Sequence, residues 1–217
     1  MNQSSAGLAK PKLRGVIHLV MSPISLVAGL VMISAASELR GRITLGIFTL
    51  TAVTLFTCSA LYHRVKWSDK YRGLWRRIDH ANIPILIAGT YTPFAVFLLG
   101  PSQRNMLLAA VWIGALTTAF LRIVWLKAPR SLYVAAYILL GWAALVYVPT
   151  FYKSGGVLVF LLILLGGLFY TAGGIVYALK KPNFNVNWFG FHELFHALTA
   201  AAFISHLIAA ILTVFKF

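Results

Sequence analysis

"WFGFHELFHALTAAAFISHLIAAILTVF", residues 188–215, admits two readings that lead to different proteins. Near its start stand His192, Glu193 and His196. This HExxH spacing sets two zinc-ligating histidines one helical turn apart, with the glutamate as general base of a protease. The stretch as a whole is a run of Phe, Leu, Ala and Ile long enough to cross about 30 Å of hydrocarbon, which takes ~20 residues. Composition favours the second setting. The chain of 217 residues is 60% hydrophobic and 11% charged, whereas a soluble domain carries roughly 25% charged residues. One globule of this size cannot hide so much apolar surface, so lipid is the expected solvent.

Working outward, six more apolar stretches of spanning length precede this one. The seven are expected at 15–37, 42–64, 78–100, 104–126, 131–152, 156–179 and 188–215. The sequence therefore predicts an all-α membrane protein, a bundle of seven transmembrane helices. It divides into an N-terminal segment, 1–14, and a single membrane domain, 15–217, because the short connections leave no room for a second soluble domain. The first stretch resembles a signal peptide in its preceding Lys10, Lys12 and Arg14 and its closing "ISAAS". Its length and Pro23 favour a retained helix. The single cysteine, Cys58, excludes an intramolecular disulfide and falls inside a span as a packing residue.

The formal charge of +15 does not point to nucleic acid, because the 19 Lys and Arg are scattered between apolar runs. They alternate with topology instead. Fourteen fall on the side of the N-terminus and five on the other, which predicts a cytoplasmic N-terminus and an external C-terminus. In the basic connection after the second span, Trp67, Tyr71, Leu74, Trp75 and Ile78 recur at helical spacing. Residues 66–78 are accordingly expected to lie along the inner headgroup layer as an anchor, with contact to anionic lipid as the sharper reading.

Only four acidic residues exist, Glu38, Asp69, Asp79 and Glu193. Asp79 and Glu193 fall at or inside spans, where an ionisable group costs at least a few kcal/mol unless it has partners. The predicted topology supplies them. Ser59 and His63 end the second span on one helix face, Asp79 and His80 open the third, and His192 and His196 open the seventh. At ~1.5 Å of rise per residue, all lie within about two turns of the inner boundary. His63, His192 and His196 would form a tripod suited to zinc, with the fourth tetrahedral position left for water. Asp79 could hold or deprotonate that water, and Ser59 could donate to a developing oxyanion.

The remaining histidines are given smaller parts. His80 is turned ~100° from Asp79 and reads as a supporting or interface residue. His18 lies on the inner side without a paired neighbour. His206, about 15 Å beyond His196, reads as an interhelical hydrogen-bonding residue. The extended protease pattern HExxHxxGxxH fails, because Thr199 and Ala202 stand where Gly and His are needed and no acidic residue follows Glu193. Glu193 is expected to orient a ligand or pair with a nearby Arg or Lys. The glycines of "GGLFYTAGG", Gly166, Gly167, Gly173 and Gly174, predict close helix approach. Gly89 and Pro93 predict a kink that widens a cavity above the metal.

"SALYH", "DHANIPILIAGTYTPF" and "FGFHELFH", in this order on spans two, three and seven, resemble the hemolysin III family, the bacterial branch of the progestin and adipoQ receptor superfamily. The resemblance covers nearly the whole chain. The broader group, which includes alkaline ceramidases, shares an SxxxH, an aspartate and a later HxxxH, here Ser59 with His63, Asp79, and His192 with His196. It implies zinc on the three histidines, Asp79 near the water, a cytoplasmic N-terminus and a bacterial inner-membrane location. It also implies hydrolysis of a lipid amide or ester, membrane lipids being the partners. Bacterial members are variously described as cytolysins or agents of membrane homeostasis, so a non-enzymatic protein with a structural zinc is the alternative, and an intramembrane metalloprotease a third.

Overall fold

The computed structural model describes residues 11–125, 128–185 and 187–216. Of the segment expected over 1–14, residues 1–10 lie outside this description, as do Lys127 and Phe217. Eight α-helices follow in order: α1 Val16–Ala35, α2 Leu39–Arg64, α3 Asp69–Leu98, α4 Pro101–Val124, α5 Arg130–Gly141, α6 Val148–Gly155, α7 Val157–Leu179 and α8 Phe191–Val214. A 3₁₀ turn, Ala143–Tyr147, joins α5 to α6. Taken with that turn, α5 and α6 make one span, so seven helical segments are long and apolar enough to cross a membrane. The chain is an integral, multi-pass membrane protein with the expected bundle.

Helices adjacent in sequence pack side by side, α1 on α2, α2 on α3, α3 on α4 and α7 on α8. The last helix also meets α1, α2 and α3, which closes the bundle around α3. That helix is the central post, with 72% of its most apolar window buried against 17% for α7. The outer helices turn large apolar side chains such as Val27, Leu50, Ile113, Phe120, Leu139 and Leu161 outward. This is the surface that lipid covers.

Small residues set the closest approaches. A Cβ at Gly89 would overlap the Thr51 side chain of α2, and one at Gly166 would overlap the His206 ring of α8. Gly173 also faces α8, at Phe195 and Leu198, whereas Gly167 and Gly174 line an internal cavity. Gly89 therefore brings α2 against α3, and the cavity lies along the α3 face that carries Thr90 and Phe94.

Residues 69–78 of the segment expected along the headgroup layer are the first turns of α3, which runs 30 residues from Asp69 to Leu98 without interruption. Asp69 in the first turn complements the helix dipole. Trp67 stacks on Trp75 with ring centroids 4.5 Å apart, and its Nε1 donates to Leu61 O at 3.0 Å, so the aromatic face is tied back to α2. The fifth span, expected over 131–152, is made of α5 and α6 joined by the 3₁₀ turn Ala143–Tyr147, and Pro149 stands in the first turn of α6, where its missing N–H leaves no helical bond unmade. The Gly141 carbonyl at the break is satisfied by Tyr91 Oη of α3, at 2.5 Å.

Candidate metal centre

The fold brings together, at the end of the bundle that carries Arg64 and Arg76, the residues the spacing had placed at one depth. His63 and Ser59 stand one turn apart on the buried face of α2; His192 and His196 do the same on α8, and Asp79 faces them from α3. One nitrogen from each of His63, His192 and His196 lies within 4.8 Å of the other two. The Nε2 atoms of His63 and His192 are 3.1 Å apart. A zinc ion with Zn–N bonds of about 2.0–2.1 Å sets tetrahedral N···N edges of about 3.3–3.4 Å. The His63–His192 edge is close to that value, and the His196 nitrogen would have to close in from up to 4.8 Å. His196 is 2% exposed and its Nδ1 has no hydrogen-bond partner. The donor set and its burial thus fit a divalent cation that prefers imidazole.

Asp79 Oδ2 lies 3.8 Å from His63 Nε2, too far for a direct bond and close enough for a shared water. Ser59 interacts with the Asp79 carboxyl, and both line the cavity described below. His80 takes the supporting part expected of it. Arg122 Nη2 of α4 donates to its Nδ1 at 2.6 Å. A guanidinium only donates, so Nδ1 is the accepting nitrogen and the ring proton sits on Nε2, which faces Asp79 Oδ2 at 4.0 Å. Arg122 also lies over the Tyr133 ring, 3.8 Å from its centroid.

Glu193 points away from the histidines. Its Oε2 accepts from the Gly190 N–H at 2.9 Å, closing a capping box at the start of α8, and its Oε1 pairs with Arg14. Both oxygens are engaged, so the glutamate of HExxH serves its helix end, as the pairing expectation had it. His206 donates from Nε2 to Ile163 O at 3.1 Å, the interhelical bond expected.

His18 was missed. The sequence gave it no neighbour, yet its ring stacks on His196 with centroids 3.8 Å apart and planes 6° from parallel, while Phe56 meets its edge. Depth alone could have flagged it, since it sits one turn inside the first span on the histidine side; that α1 touches α8 is a tertiary fact. The segment before it covers the site. Lys12 and Leu13 donate their N–H groups to Asn187 O and Trp188 O at 2.9 and 3.4 Å, and Lys12 Nζ sits 4.3 Å from the Trp188 ring centroid. Gly15, at φ 79°, then packs on His63, a conformation and a closeness that favour glycine.

From the histidines an internal cavity of about 140 Å³ runs along α3 from Asp79 to Phe94. Fifteen residues at 1.5 Å of rise make this about 22 Å. Its walls are mostly apolar, among them Leu86, Phe94, Leu145, Phe151 and Phe160, and the ionisable groups Asp79, His80, His192 and His196 stand together at one end.

Comparison with known proteins agrees with the resemblance read from the motifs. The family model described as Haemolysin-III related matches residues 6–207. The "Hemolysin-3 homolog" of Bacillus subtilis (strain 168) is 34% identical over 154 residues, 70% of this chain and 68% of that protein. "Hemolysin-3" of Bacillus cereus is 29% identical over 184 residues, 83% of this chain and 81% of that protein. A seven-span bundle, its buried histidine cluster and a match over nearly the whole length lead to one conclusion: the chain belongs to the Haemolysin-III related family.

Proposed function

We propose that this protein holds zinc on His63, His192 and His196 and hydrolyses an amide or ester bond of a membrane lipid, with Asp79 as base and Ser59 as oxyanion donor. One observation carries the reading: three imidazoles converge beside a carboxylate at one end of a long, mostly apolar cavity. When bound, zinc supplies Lewis acidity toward a carbonyl and acidifies water at neutral pH. The chain's residues do the rest. Asp79 takes a proton from a water held at its carboxylate beside the histidine cluster, and returns it to the leaving nitrogen or oxygen. The Ser59 hydroxyl donates to the carbonyl oxygen as negative charge gathers there. His80, fixed by Arg122, aims its Nε2–H at Asp79 and orients the carboxyl. The cavity walls hold the acyl chain and exclude water from it.

The charge bias supports a cytoplasmic N-terminus and a site at the inner leaflet of a bacterial inner membrane. Lys66, Lys70, Arg72, Arg76 and Arg77 would then meet anionic headgroups. The test is metal analysis with lipid turnover on purified protein. Wild type should carry one zinc and release product, and Asp79→Asn should keep the zinc and lose turnover by about 10²-fold or more. A second reading comes from the relatives' name, hemolysin: a membrane-perturbing protein in which the metal only staples α2 to α8. Removing metal would then lower stability while Asp79→Asn left the cellular effect intact. An intramembrane protease would need Glu193 as base, and Arg14 and the Gly190 N–H occupy that carboxylate.

A further inference from the structure

The apolar cavity carries a second polar station far from the histidines. His206 of α8 is 8% exposed and lines the cavity; its Nε2 donates to Ile163 O, so in the neutral ring Nδ1 is a bare acceptor, and that nitrogen has no partner. Tyr170 of α7 lines the same stretch, with its ring centroid 5.6 Å from that of His206 and its hydroxyl buried and equally without a partner. An unmatched donor and an unmatched acceptor buried close together each carry a desolvation cost until something satisfies them. Their neighbours in the cavity wall, Phe94 and Ile163, are apolar side chains.

We propose that Tyr170 and His206 bind a hydroxyl group carried in mid-chain by the lipid that fills the cavity, so that the ligand class is a hydroxylated acyl chain. This rests on the reading of the cavity as an acyl-chain site. One hydroxyl satisfies both residues at once, donating to His206 Nδ1 and accepting from Tyr170 Oη. A carbonyl or ether oxygen accepts only, and would leave His206 unmatched. The position sets the place of the hydroxyl. His206 lies ten residues beyond His196 on one helix, about 15 Å along its axis. An extended chain advances about 1.25 Å per methylene from ordinary C–C geometry, so the hydroxyl falls about twelve carbons from the group at the histidines.

Oleic and ricinoleic acids differ by a hydroxyl at that distance and are the probes. Each is titrated against the fluorescent fatty acid cis-parinaric acid bound to the purified full-length protein in detergent. The expected result is that ricinoleic acid displaces the fluorophore at a concentration at least about fivefold lower than oleic acid. Tyr170→Phe deletes only an unpartnered hydroxyl, so the fold is retained; oleic acid should bind it as before and the preference should vanish. Equal affinities in the wild type, or a preference that survives Tyr170→Phe, would overturn the hydroxyl site while leaving the cavity an acyl-chain site. If neither acid displaces the fluorophore, the acyl-chain reading of the cavity falls and the hydroxyl site with it.

Discussion

Glu193→Gln separates a glutamate that caps and pairs from one that does chemistry. Glutamine keeps a side-chain oxygen for the Gly190 N–H, so the capping box survives. What is lost is the charge that meets Arg14. Breaking a buried ion pair costs about 3–5 kcal/mol, because the partner charge is left without compensation. Here the Glu193 side chain is fully buried but that of Arg14 keeps 21% exposure, so water recovers part of the arginine's solvation. About 1–3 kcal/mol is the magnitude to expect. For a chain of this length each kcal/mol is worth roughly 2–4 °C, which gives a fall in Tm of about 2–12 °C. The assay is thermal unfolding in detergent followed by tryptophan fluorescence, with zinc content and lipid turnover measured on the same preparation. Zinc should stay at the wild-type level and turnover per folded molecule within about twofold. An unchanged Tm combined with a turnover loss of about 10²-fold or more would refute the assignment and return Glu193 to the role of general base.

His192→Ala leaves two imidazoles of the tripod, and zinc measured by plasma mass spectrometry should fall from one per chain to about a tenth or less; full retention would mean that the three histidines are not the ligands. Gly15→Ala places a Cβ 2.6 Å from His63 Cβ at a φ of 79°, so it should weaken zinc retention against a chelator although no ligand changes. The strain alone is about 1–2 kcal/mol, and an unaltered chelator titration would contradict the contact. Protons compete with metal for imidazole, so if the three histidines hold zinc, the gap between Tm curves with and without chelator should narrow as pH falls, and a constant gap would exclude histidine ligation. Tyr91→Phe strands the Gly141 carbonyl at the break in the fifth span and should cost about 1–3 kcal/mol, read as a lower Tm; no change would mean that water takes the hydroxyl's place.

The seven spans and the histidine depth were legible because both follow from one-dimensional periodicities. A run of apolar residues has a length, and i, i+4 pairs such as Ser59 with His63 or His192 with His196 share a face whatever surrounds them. The start of α3 and the break after Gly141 were not, because each depends on competition between neighbours. Residues 69–78 have the composition of an interfacial segment, and what joins them to the span is the Trp67–Trp75 stack and the bond from Trp67 to Leu61. The break leaves the Gly141 carbonyl to Tyr91 of another span, a partner that no local pattern announces. His18 and Arg14 belong to the same class. Nothing in residues 11–18 announces that α1 lies against α8, and only that contact turns a lone histidine into the ring stacked on His196.

Charge bookkeeping ties these missed residues to the site that was found. Two acidic side chains are buried, and each is engaged by a different basic neighbourhood: Glu193 by Arg14, and Asp79 by His80 with Arg122 behind it. Arg14 thereby engages the glutamate that stands one residue after His192 and three before His196, which leaves Asp79 as the carboxyl beside the cluster. The segment that does this also lays Gly15 over His63 and His18 over His196. One short stretch at the start of the first span thus contacts two of the three imidazoles, those of His63 and His196, and neutralises the glutamate between His192 and His196. The histidine cluster on α2 and α8 depends on α1 for its charge balance and its cover, which is why a motif confined to spans two, three and seven understates the residues that build it.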